Sequence, residues 1–288
     1  MTQTTAIHHH NRDSSSAPAL VLAATGKTGR RVVDRLRAAD RPVRPASRRS
    51  AVPFDWEDAA TWAGALDGVA SVYIALPLTP VPVHDFVAEA VAAGVRRLVA
   101  LSGRGADTWE TGFGQDMLEL EDAVRRSGVE WSIVRSSNFA QNFTEDAFHA
   151  PVMAGELALP VGGVPDPFVD VEDVADVVVA ALTEDDWVGQ VIEVTGPEAL
   201  DWDEAVATIA RASDREVRFA DISAEEFTTR LLSEGVPAAD AAVLDAMFAE
   251  SRRGLIAEPT DGIRRVLGRE PRPFAEFAAR AAAAGSWS

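Results

Sequence analysis

Residues 19–33 read ALVLAATGKTGRRVV, and this stretch decides the fold. Its apolar start predicts a buried strand, and the valines at its end lie at the spacing of a helix that follows a turn. The small residues of the turn stand at the GxxGxxG spacing, with Ala23 in place of the first glycine. Small residues let the backbone approach a pyrophosphate and let the helix pack closely on the strand. Because the helix N-terminus adds free N–H groups, the turn predicts a dinucleotide site formed by Ala23, Thr25, Gly26, Lys27, Thr28 and Gly29.

Two residues of the turn leave alternatives open. The methyl group of Ala23 either narrows the turn or shifts the pyrophosphate. The alternative for the motif as a whole is a tight turn that only packs the first helix. Lys27 either reaches a phosphate or faces water.

The end of the second predicted strand distinguishes NAD from NADP. In NAD-binding proteins an acid about 20 residues beyond the glycines binds the ribose hydroxyls. Here residues 43–49 read VRPASRR and contain no acid. Ser47, Arg48 and Arg49 suit a 2′-phosphate instead, because guanidinium groups pair well with phosphate. The sequence therefore predicts NADP(H), and the alternative for either arginine is a solvated loop charge.

Strand and helix patterns alternate along the first half of the chain. Apolar runs such as Ser71–Leu76 and Val129–Val134 lack polar alternation, as in strands covered on both faces. Helix-length segments separate these runs, which predicts an α/β fold with a Rossmann-type doubly wound parallel sheet. Residues 171–194 are expected to return to this sheet. We divide the chain into a disordered tail (1–17), an NADP-binding Rossmann domain (18–150) and a smaller, mainly helical C-terminal substrate lobe (151–288).

Composition narrows the class of protein. The 288 residues include no cysteine and carry a net charge of −18. The absence of cysteine excludes disulfides and thiolate metal ligands, and no group of histidines and carboxylates has the spacing of a metal site. The negative charge disfavours nucleic acid and anionic membranes as partners, and prolines interrupt the longest uncharged stretch, so no membrane span is predicted. We expect a cytoplasmic protein that acts on a small molecule, with its oligomeric state open.

One segment runs against this acidic balance. Residues 27–49 carry nine basic and two acidic side chains. A basic segment in an acidic protein suggests a small polyanionic ligand, and the alternative is a solvated, arginine-rich helix face.

Six segments together make the chain resemble the NmrA-like branch of the atypical short-chain dehydrogenases, especially the agroclavine dehydrogenases and their bacterial relatives. They are LVLAATGKTGRRV (20–32), VRPASRR (43–49), FDWEDAATW (54–62), GVRRLVALSG (94–103), WSIVRSSNFAQNF (131–143) and VDVEDVADVVVAAL (169–182). The resemblance implies that Asp55 lies beside the adenine and that Leu76, Pro77 and Ser102 border the cofactor. It also implies that Arg135, Ser136 and Phe139 lie near the nicotinamide. Ser136 departs from the usual proline of the family, which leaves the shape of this nicotinamide loop open.

The sequence excludes the usual proton donor of short-chain dehydrogenases. Those enzymes pair a tyrosine with a lysine four residues later, which lowers the pKa of the tyrosine. The only tyrosine here, Tyr73, has a proline at position 77, and the only lysine is Lys27 in the turn. Hydride addition does not need that pair when an imine is already protonated to an iminium ion, or when the acceptor is a quinone. We therefore predict an NADPH-dependent reductase of such an electrophile, in secondary metabolism.

Two other functions stay open at this point. One is a non-catalytic, NADP(H)-sensing regulator of the NmrA type, which would use the same cofactor residues. The other is a relative that has lost its affinity for the cofactor, with Ala23 as the only support.

No catalytic residue follows from the sequence. Residues 102–115 (SGRGADTWETGFGQ) come after a strand end, where ligands of open α/β sheets gather. Candidates for the substrate wall are Ser102, Asp107, Trp109 and Gln115, and candidates for a catalytic role are Ser102, Trp109, Gln115 and Asn138. The alternative role for Asn138, Gln141 and Asn142 is helix capping. Met247 and Phe248 are candidate lid residues, and the alternative for both is a place in the hydrophobic core.

Overall fold

Strands and helices alternate along the chain. The computed structural model describes residues 17–77 and 79–288, so that residues 1–16, most of the predicted tail, lie outside the described residues. The strands are β1 (Ala19–Val21), β2 (Val43–Ser47), β3 (Val52–Pro53), β4 (Ser71–Ile74), β5 (Arg97–Gly103), β6 (Glu130–Ser136), β7 (Glu156–Leu159), β8 (Gln190–Val194) and β9 (Arg218–Asp221). The helices are α1 (Lys27–Ala38), α2 (Trp62–Leu66), α3 (Val83–Ala92), α4 (Gln115–Arg126), α5 (Asn142–Glu145), α6 (His149–Met153), α7 (Val171–Thr183), α8 (Trp202–Ser213), α9 (Ala224–Ser233), α10 (Ala238–Arg252), α11 (Gly262–Leu267) and α12 (Phe274–Ala283).

Seven of these strands form one parallel sheet in the order β3-β2-β1-β4-β5-β6-β8. The strand order reverses between β1 and β4, and ligands of such sheets bind at the carboxyl ends of the strands beside that point. The predicted Rossmann-type, doubly wound α/β fold is confirmed. Residues 171–194 form α7 and β8, the last strand of this sheet.

Both faces of the sheet are apolar, which explains the unbroken apolar runs of the sequence. In β1 and the residue after it, Leu20 and Leu22 belong to one buried cluster, which includes side chains of α2, α3 and α4. Ala19 and Val21 belong to the other, which includes side chains of α1, α7 and α11. Because side chains alternate across a strand, a strand covered on both faces has to be apolar at every position.

The second lobe has its own core and a small sheet that the sequence does not predict. Strands β7 and β9 pair in parallel. The rings of Phe168 and Trp202 meet at 4.9 Å between centroids in a core that also holds Phe143 and Phe274. The lobe is therefore mainly, but not only, helical.

Candidate cofactor site

The turn between β1 and α1 has the shape that the GxxGxxG spacing requires. Ala23 adopts a left-handed backbone with φ of 50° and is exposed, so its methyl group points outward. The Gly26 N–H donates to the carbonyl oxygen of Ala23 at 2.8 Å and closes the turn. A Cβ atom on Gly29 would lie 2.2 Å from that same oxygen, so only glycine permits this approach of helix and strand. The Ala23 methyl group therefore does not fill the turn, although the left-handed backbone of this alanine is strained.

The N-terminus of α1 is free to receive an anion. Gly26 is its N-cap, no side chain caps it, and its first turn contains no acid. The uncapped N–H groups and the helix dipole favour a phosphate at this position. This turn thus fits the pyrophosphate of a dinucleotide.

Tyr73 and Thr28 lie beneath the turn and hold it in place. The phenol of Tyr73, in β4, is fully buried and donates to Thr28 Oγ1 at 2.8 Å. Burial raises the pKa of Tyr73 far above its ordinary value. Tyr73 is therefore a support of the turn and is unsuited to proton donation.

Lys27 connects the turn to the loop that follows β6. Its ammonium group donates to Asn142 Oδ1 at 2.6 Å and to Asp146 Oδ2 at 2.5 Å. It also lies 5.6 Å from the centre of the Phe139 ring. Lys27 thus neither faces open water nor stands apart from the site, and Asn142 acts as its partner rather than as a helix cap.

The arginines of α1 are bound by acids of the same molecule. Arg31 pairs with Glu145 at 2.9 Å and with Glu172 at 2.5 Å, and Arg35 pairs with Glu172 at 2.7 Å. Arg30 also pairs with Glu145, at 2.5 Å. Much of the basic segment therefore joins α1 to α5 and α7. Arg31 and Arg35 are neither free for a polyanion nor part of a solvated helix face, whereas the Arg30 side chain stays 41% exposed.

Arg48 and Arg49 differ from the arginines of α1. Both follow β2 directly, both are exposed, and neither guanidinium pairs with an acid in the described ranges. Ser47 Oγ lies 2.8 Å from Ser50 Oγ. Asp55 Oδ1 accepts the Glu57 N–H at 3.1 Å, which leaves its other carboxylate oxygen available. Their contacts with a cofactor stay predictions.

The carboxyl ends of β4 and β5 come to the same edge of the sheet as the turn. Leu76 is half-buried against the core and Pro77 is exposed, just after β4. Ser102 is only 3% exposed, and its hydroxyl lies close enough to Glu121 to lower the pKa of that carboxyl group. A contact of Ser102 with the cofactor stays a prediction.

The Arg135 side chain has a structural role. Its guanidinium donates to both carboxylate oxygens of Glu121 at 2.8 and 2.7 Å and pairs with Asp107 at 2.8 Å. Burial acts to raise the pKa of Glu121, but the hydrogen bonds from Arg135 and Ser102 outweigh it and hold that pKa below its ordinary value. Arg135 thus ties β6 to α4 and to the loop after β5, and a contact with the cofactor would have to come from its main chain.

The nicotinamide loop is held from below by the segment before α7. Phe139 pairs with Val169 in a parallel bridge. Gln141 binds Asp170 Oδ1 and the Val171 N–H, at 2.7 and 2.9 Å, so it fixes the start of α7 as the capping alternative proposed. Half-buried Ser136 ends β6, opposite Gly103 of β5.

Sequence reasoning missed Asp166, which lies against this loop. Asn138 Nδ2 donates to Asp166 Oδ2, while Asp166 Oδ1 is buried and has no partner among the described residues. Burial raises the pKa of Asp166 to about 6, although the hydrogen bond from Asn138 opposes this. Asp166 stands between two prolines in a loop, and nothing in that pattern indicates a buried acid.

The loop after β5 and the start of α4 hold three candidate residues that differ in exposure. Trp109 packs against Gly103 and Gly114, Gln115 is the exposed first residue of α4, and exposed Asp107 pairs with Arg135. Of the two lid candidates, Phe248 packs on Phe227 with ring centroids 5.2 Å apart, inside the core of the second lobe.

Within residues 17–77 and 79–288 there is no group of three His, Cys, Asp or Glu side chains that could hold a metal ion. In the same ranges no helix has the length and apolar character needed to cross a membrane.

Comparison with known proteins places the chain beside redox enzymes. The family model described as NAD(P)H-binding matches residues 23–185. The chain is 34% identical over 281 residues to a (4-alkanoyl-5-oxo-2,5-dihydrofuran-3-yl)methyl phosphate reductase of Streptomyces griseus, covering 92% of this chain and 98% of the relative. It is 32% identical over 284 residues to an NAD(P)H azoreductase of Xenophilus azovorans, with 93% and 99% covered. It is 26% identical to an agroclavine dehydrogenase of Claviceps fusiformis, with 90% and 95% covered.

Solved structures share the fold at lower identity. An NADPH-dependent quinone oxidoreductase from Escherichia coli, in complex with NADPH, superposes with a TM-score of 0.80 at 20% identity, covering 91% of this chain and 99% of the other. NmrA, a negative transcriptional regulator in complex with NADP, superposes with a TM-score of 0.73 at 17% identity, covering 94% and 97%.

Proposed function

Because the chain belongs to the family of NAD(P)H-binding proteins, we propose that it is an NADPH-dependent reductase of the atypical short-chain dehydrogenase type. Its substrate is a small organic electrophile of the imine, iminium or quinone class. The resemblance to NmrA-like proteins that the sequence predicts is confirmed. The redox relatives act, by their names, on an azo compound, a dihydrofuranone phosphate and agroclavine, and this range supports a conjugated acceptor.

The turn from Ala23 to Gly29 carries this proposal. It combines an uncapped helix N-terminus with a helix–strand approach that only Gly29 permits. A turn that only packed the helix would not need a bare N-terminus free of acids. The preference for NADPH rests on Arg48 and Arg49, whose guanidinium groups pair with no acid of residues 17–77 and 79–288 and stand where an acid would repel a 2′-phosphate.

The residues present define the roles available in the reaction. Reduced nicotinamide supplies a hydride when it is bound, and the protein contributes orientation and a dry site. The N-terminus of α1 would bind the pyrophosphate, and Phe139 and Ser102 would border the nicotinamide. Tyr73 is buried under Thr28, and Lys27 is bound to Asn142 and Asp146, so neither can form the usual acid pair.

The missing acid pair selects the substrate class. An iminium carbon is already positive, so hydride addition neutralises it without a proton. A quinone becomes a stabilised hydroquinone anion that water can protonate. Reduction of a simple ketone, by contrast, forms an alkoxide that needs a positioned donor. Cytoplasmic location and a role in secondary metabolism stay predictions from the sequence.

A regulator that senses NADP(H) without turnover is the second candidate. The structural likeness to NmrA, a negative transcriptional regulator in complex with NADP, favours it. Such a regulator would use the same cofactor residues as the reductase.

One pair of experiments separates the two functions. The affinity of the protein for NADPH and NADH is measured by calorimetry, and NADPH consumption is then followed with a panel of iminium salts, quinones and enones. Consumption with an iminium salt or a quinone supports the reductase. Tight NADPH binding without consumption on any panel member supports the sensor, and absence of binding to both nucleotides contradicts both functions.

A further inference from the structure

The loop between β5 and α4 holds two aromatic rings, Trp109 and Phe113, at the carboxyl edge of the sheet. The Trp109 indole lies against two glycines, since a Cβ atom on Gly103 would stand 2.4 Å from its Cη2 and one on Gly114 2.1 Å from its Cζ3. Phe113 packs beside it, with ring centroids 5.0 Å apart. The indole is only partly buried, and its Nε1–H donates no hydrogen bond to any residue that the structure describes.

Helix α10 of the second lobe fixes the backbone on either side of this ring. Glu250 Oε1 accepts the N–H groups of Glu110 and Thr111, both at 2.7 Å. Arg253 donates to the Thr108 carbonyl oxygen at 2.7 Å and to Glu250 Oε2 at 2.8 Å. Glu250 is 4% exposed, and although burial opposes ionisation, the hydrogen bonds from Arg253 and the two N–H groups lower its pKa to about 2. This charged clamp on Thr108, Glu110 and Thr111 leaves Trp109 little freedom to move.

The clamped ring stands next to the predicted nicotinamide loop. Gly103, on which the indole lies, is paired in register with Ser136, the first residue of that loop after Arg135. Buried Ser102, a predicted cofactor residue, precedes Gly103. Ligands of open parallel sheets bind at this edge, so the indole adjoins the space in which a substrate meets the cofactor.

We propose that Trp109 is the stacking wall of the substrate site and that Glu250, acting through it, is a positioning residue that makes the site select flat, conjugated acceptors. This inference rests on the proposed reductase function and narrows its substrate class. A rigid indole face favours a planar partner by offset stacking, whereas a puckered aliphatic ring gains little from it. The free indole N–H adds a donor for a carbonyl or azo acceptor atom.

The test compares a flat acceptor, menadione, with a puckered one, 2-cyclohexen-1-one. Binding of each to the protein loaded with NADP⁺ is measured by calorimetry, and KM and kcat are measured with NADPH. The variants are Trp109→Ala, Trp109→Phe, Glu250→Ala and the Trp109→Ala/Glu250→Ala double variant. Arg253→Ala weakens the same clamp from its other side and serves if Glu250→Ala unfolds. Glu226→Ala is the matched control, because it removes an exposed acid from the neighbouring helix α9 without touching the loop.

The expected result is a loss confined to the flat acceptor. Trp109→Ala and Glu250→Ala each weaken menadione binding and raise its KM by about tenfold, while kcat and NADPH affinity change less than about twofold. Trp109→Phe retains most of the binding, and the double variant is no worse than Trp109→Ala, since Glu250 acts through that ring.

Three results overturn the inference: additive losses, equal losses for both acceptors, or no menadione binding by the unmodified protein. If menadione binds with the expected losses but NADPH is not consumed, the wall stands and the reductase function falls. Failure of the two proposals is thus distinguishable.

Discussion

Replacing Asp166 by asparagine tests whether the Asp166 carboxyl group is buried in the interior of the protein. Asp166 is 4% exposed, accepts one hydrogen bond from Asn138, and has a second carboxylate oxygen without a partner in the described chain. Asparagine has the same shape and can still accept the Asn138 hydrogen bond, but it cannot ionise. The substitution therefore isolates the free-energy cost of a buried negative charge.

The size of the effect follows from the pKa values. Burial raises the pKa of Asp166 from 3.8 to about 6 against the opposing effects of Asn138 and Arg104. The pKa of Asp166 is higher in the folded than in the unfolded protein. The contribution of neutral Asp166 to folding stability is therefore fully present below its unfolded pKa and is lost as the pH rises through its folded pKa. A difference of about 2 in pKa corresponds to roughly 3 kcal/mol of unfolding free energy, of which about 1.5 kcal/mol is lost between pH 5 and pH 8.

Urea unfolding at pH 5, 6, 7 and 8 measures the effect directly. The advantage of Asp166→Asn over the unmodified protein should grow by about 1.5 kcal/mol across this range. Asp214→Asn makes the same chemical change at an exposed position and controls for the substitution itself. A stability difference that stays constant from pH 5 to pH 8 would refute the buried, unpaired state of Asp166.

Three further predictions concern backbone approach and the buried ion pair. Ala23→Gly relieves a left-handed alanine, so it should raise stability by about 1 kcal/mol, seen as an increase of roughly 3 °C in Tm without loss of NADPH affinity. Gly29→Ala places a Cβ atom 2.2 Å from the Ala23 carbonyl oxygen. Calorimetry should therefore show at least tenfold weaker NADPH binding, and urea unfolding should show a loss of about 2 kcal/mol in the free energy of unfolding. Gly64→Ala, inside α2 with open space around it, is the matched control and should be neutral or stabilising. Glu121→Ala leaves Arg135 buried without its bidentate partner, so urea unfolding should show a loss of about 3 kcal/mol or more, and a loss below about 1 kcal/mol would contradict this role.

Local patterns were sufficient to predict the fold and the turn. The apolar run before Ala23, the spacing of Gly26 and Gly29 and the regular alternation of elements are each set by interactions within about 30 residues, the length of one βαβ unit. The same holds for the absence of a tyrosine–lysine pair, since both residues are unique in the sequence.

Contacts between distant parts of the chain could not be predicted in this way. Asp166 meets Asn138 across 28 positions, and Glu250 meets Thr111 across 139. The β7–β9 sheet likewise joins two short strands with a helix-rich stretch between them. The burial of an acid depends on which loop packs over it, and composition at the acid itself gives no sign of this.

For the arginines of α1, the sequence suggested a ligand where the structure shows ion pairs within the chain. Their density suggested a polyanionic ligand, but the acids that bind Arg31 and Arg35 lie more than a hundred positions later. Arg48 and Arg49, which follow β2, remain the predicted partners of a 2′-phosphate.

The most direct measurement of the central claim is a calorimetric titration of the Arg48→Ala/Arg49→Ala variant with NADPH and NADH. If the two guanidinium groups bind the 2′-phosphate, NADPH affinity should fall by at least about tenfold, because each charge-assisted hydrogen bond contributes about 1.5 kcal/mol or more, while NADH affinity should stay within about twofold. The control is Arg264→Ala/Arg265→Ala, which removes the same charge from an adjacent arginine pair on α11 and should leave both affinities unchanged. Equal weakening of both nucleotides, or no change for NADPH, would contradict the account.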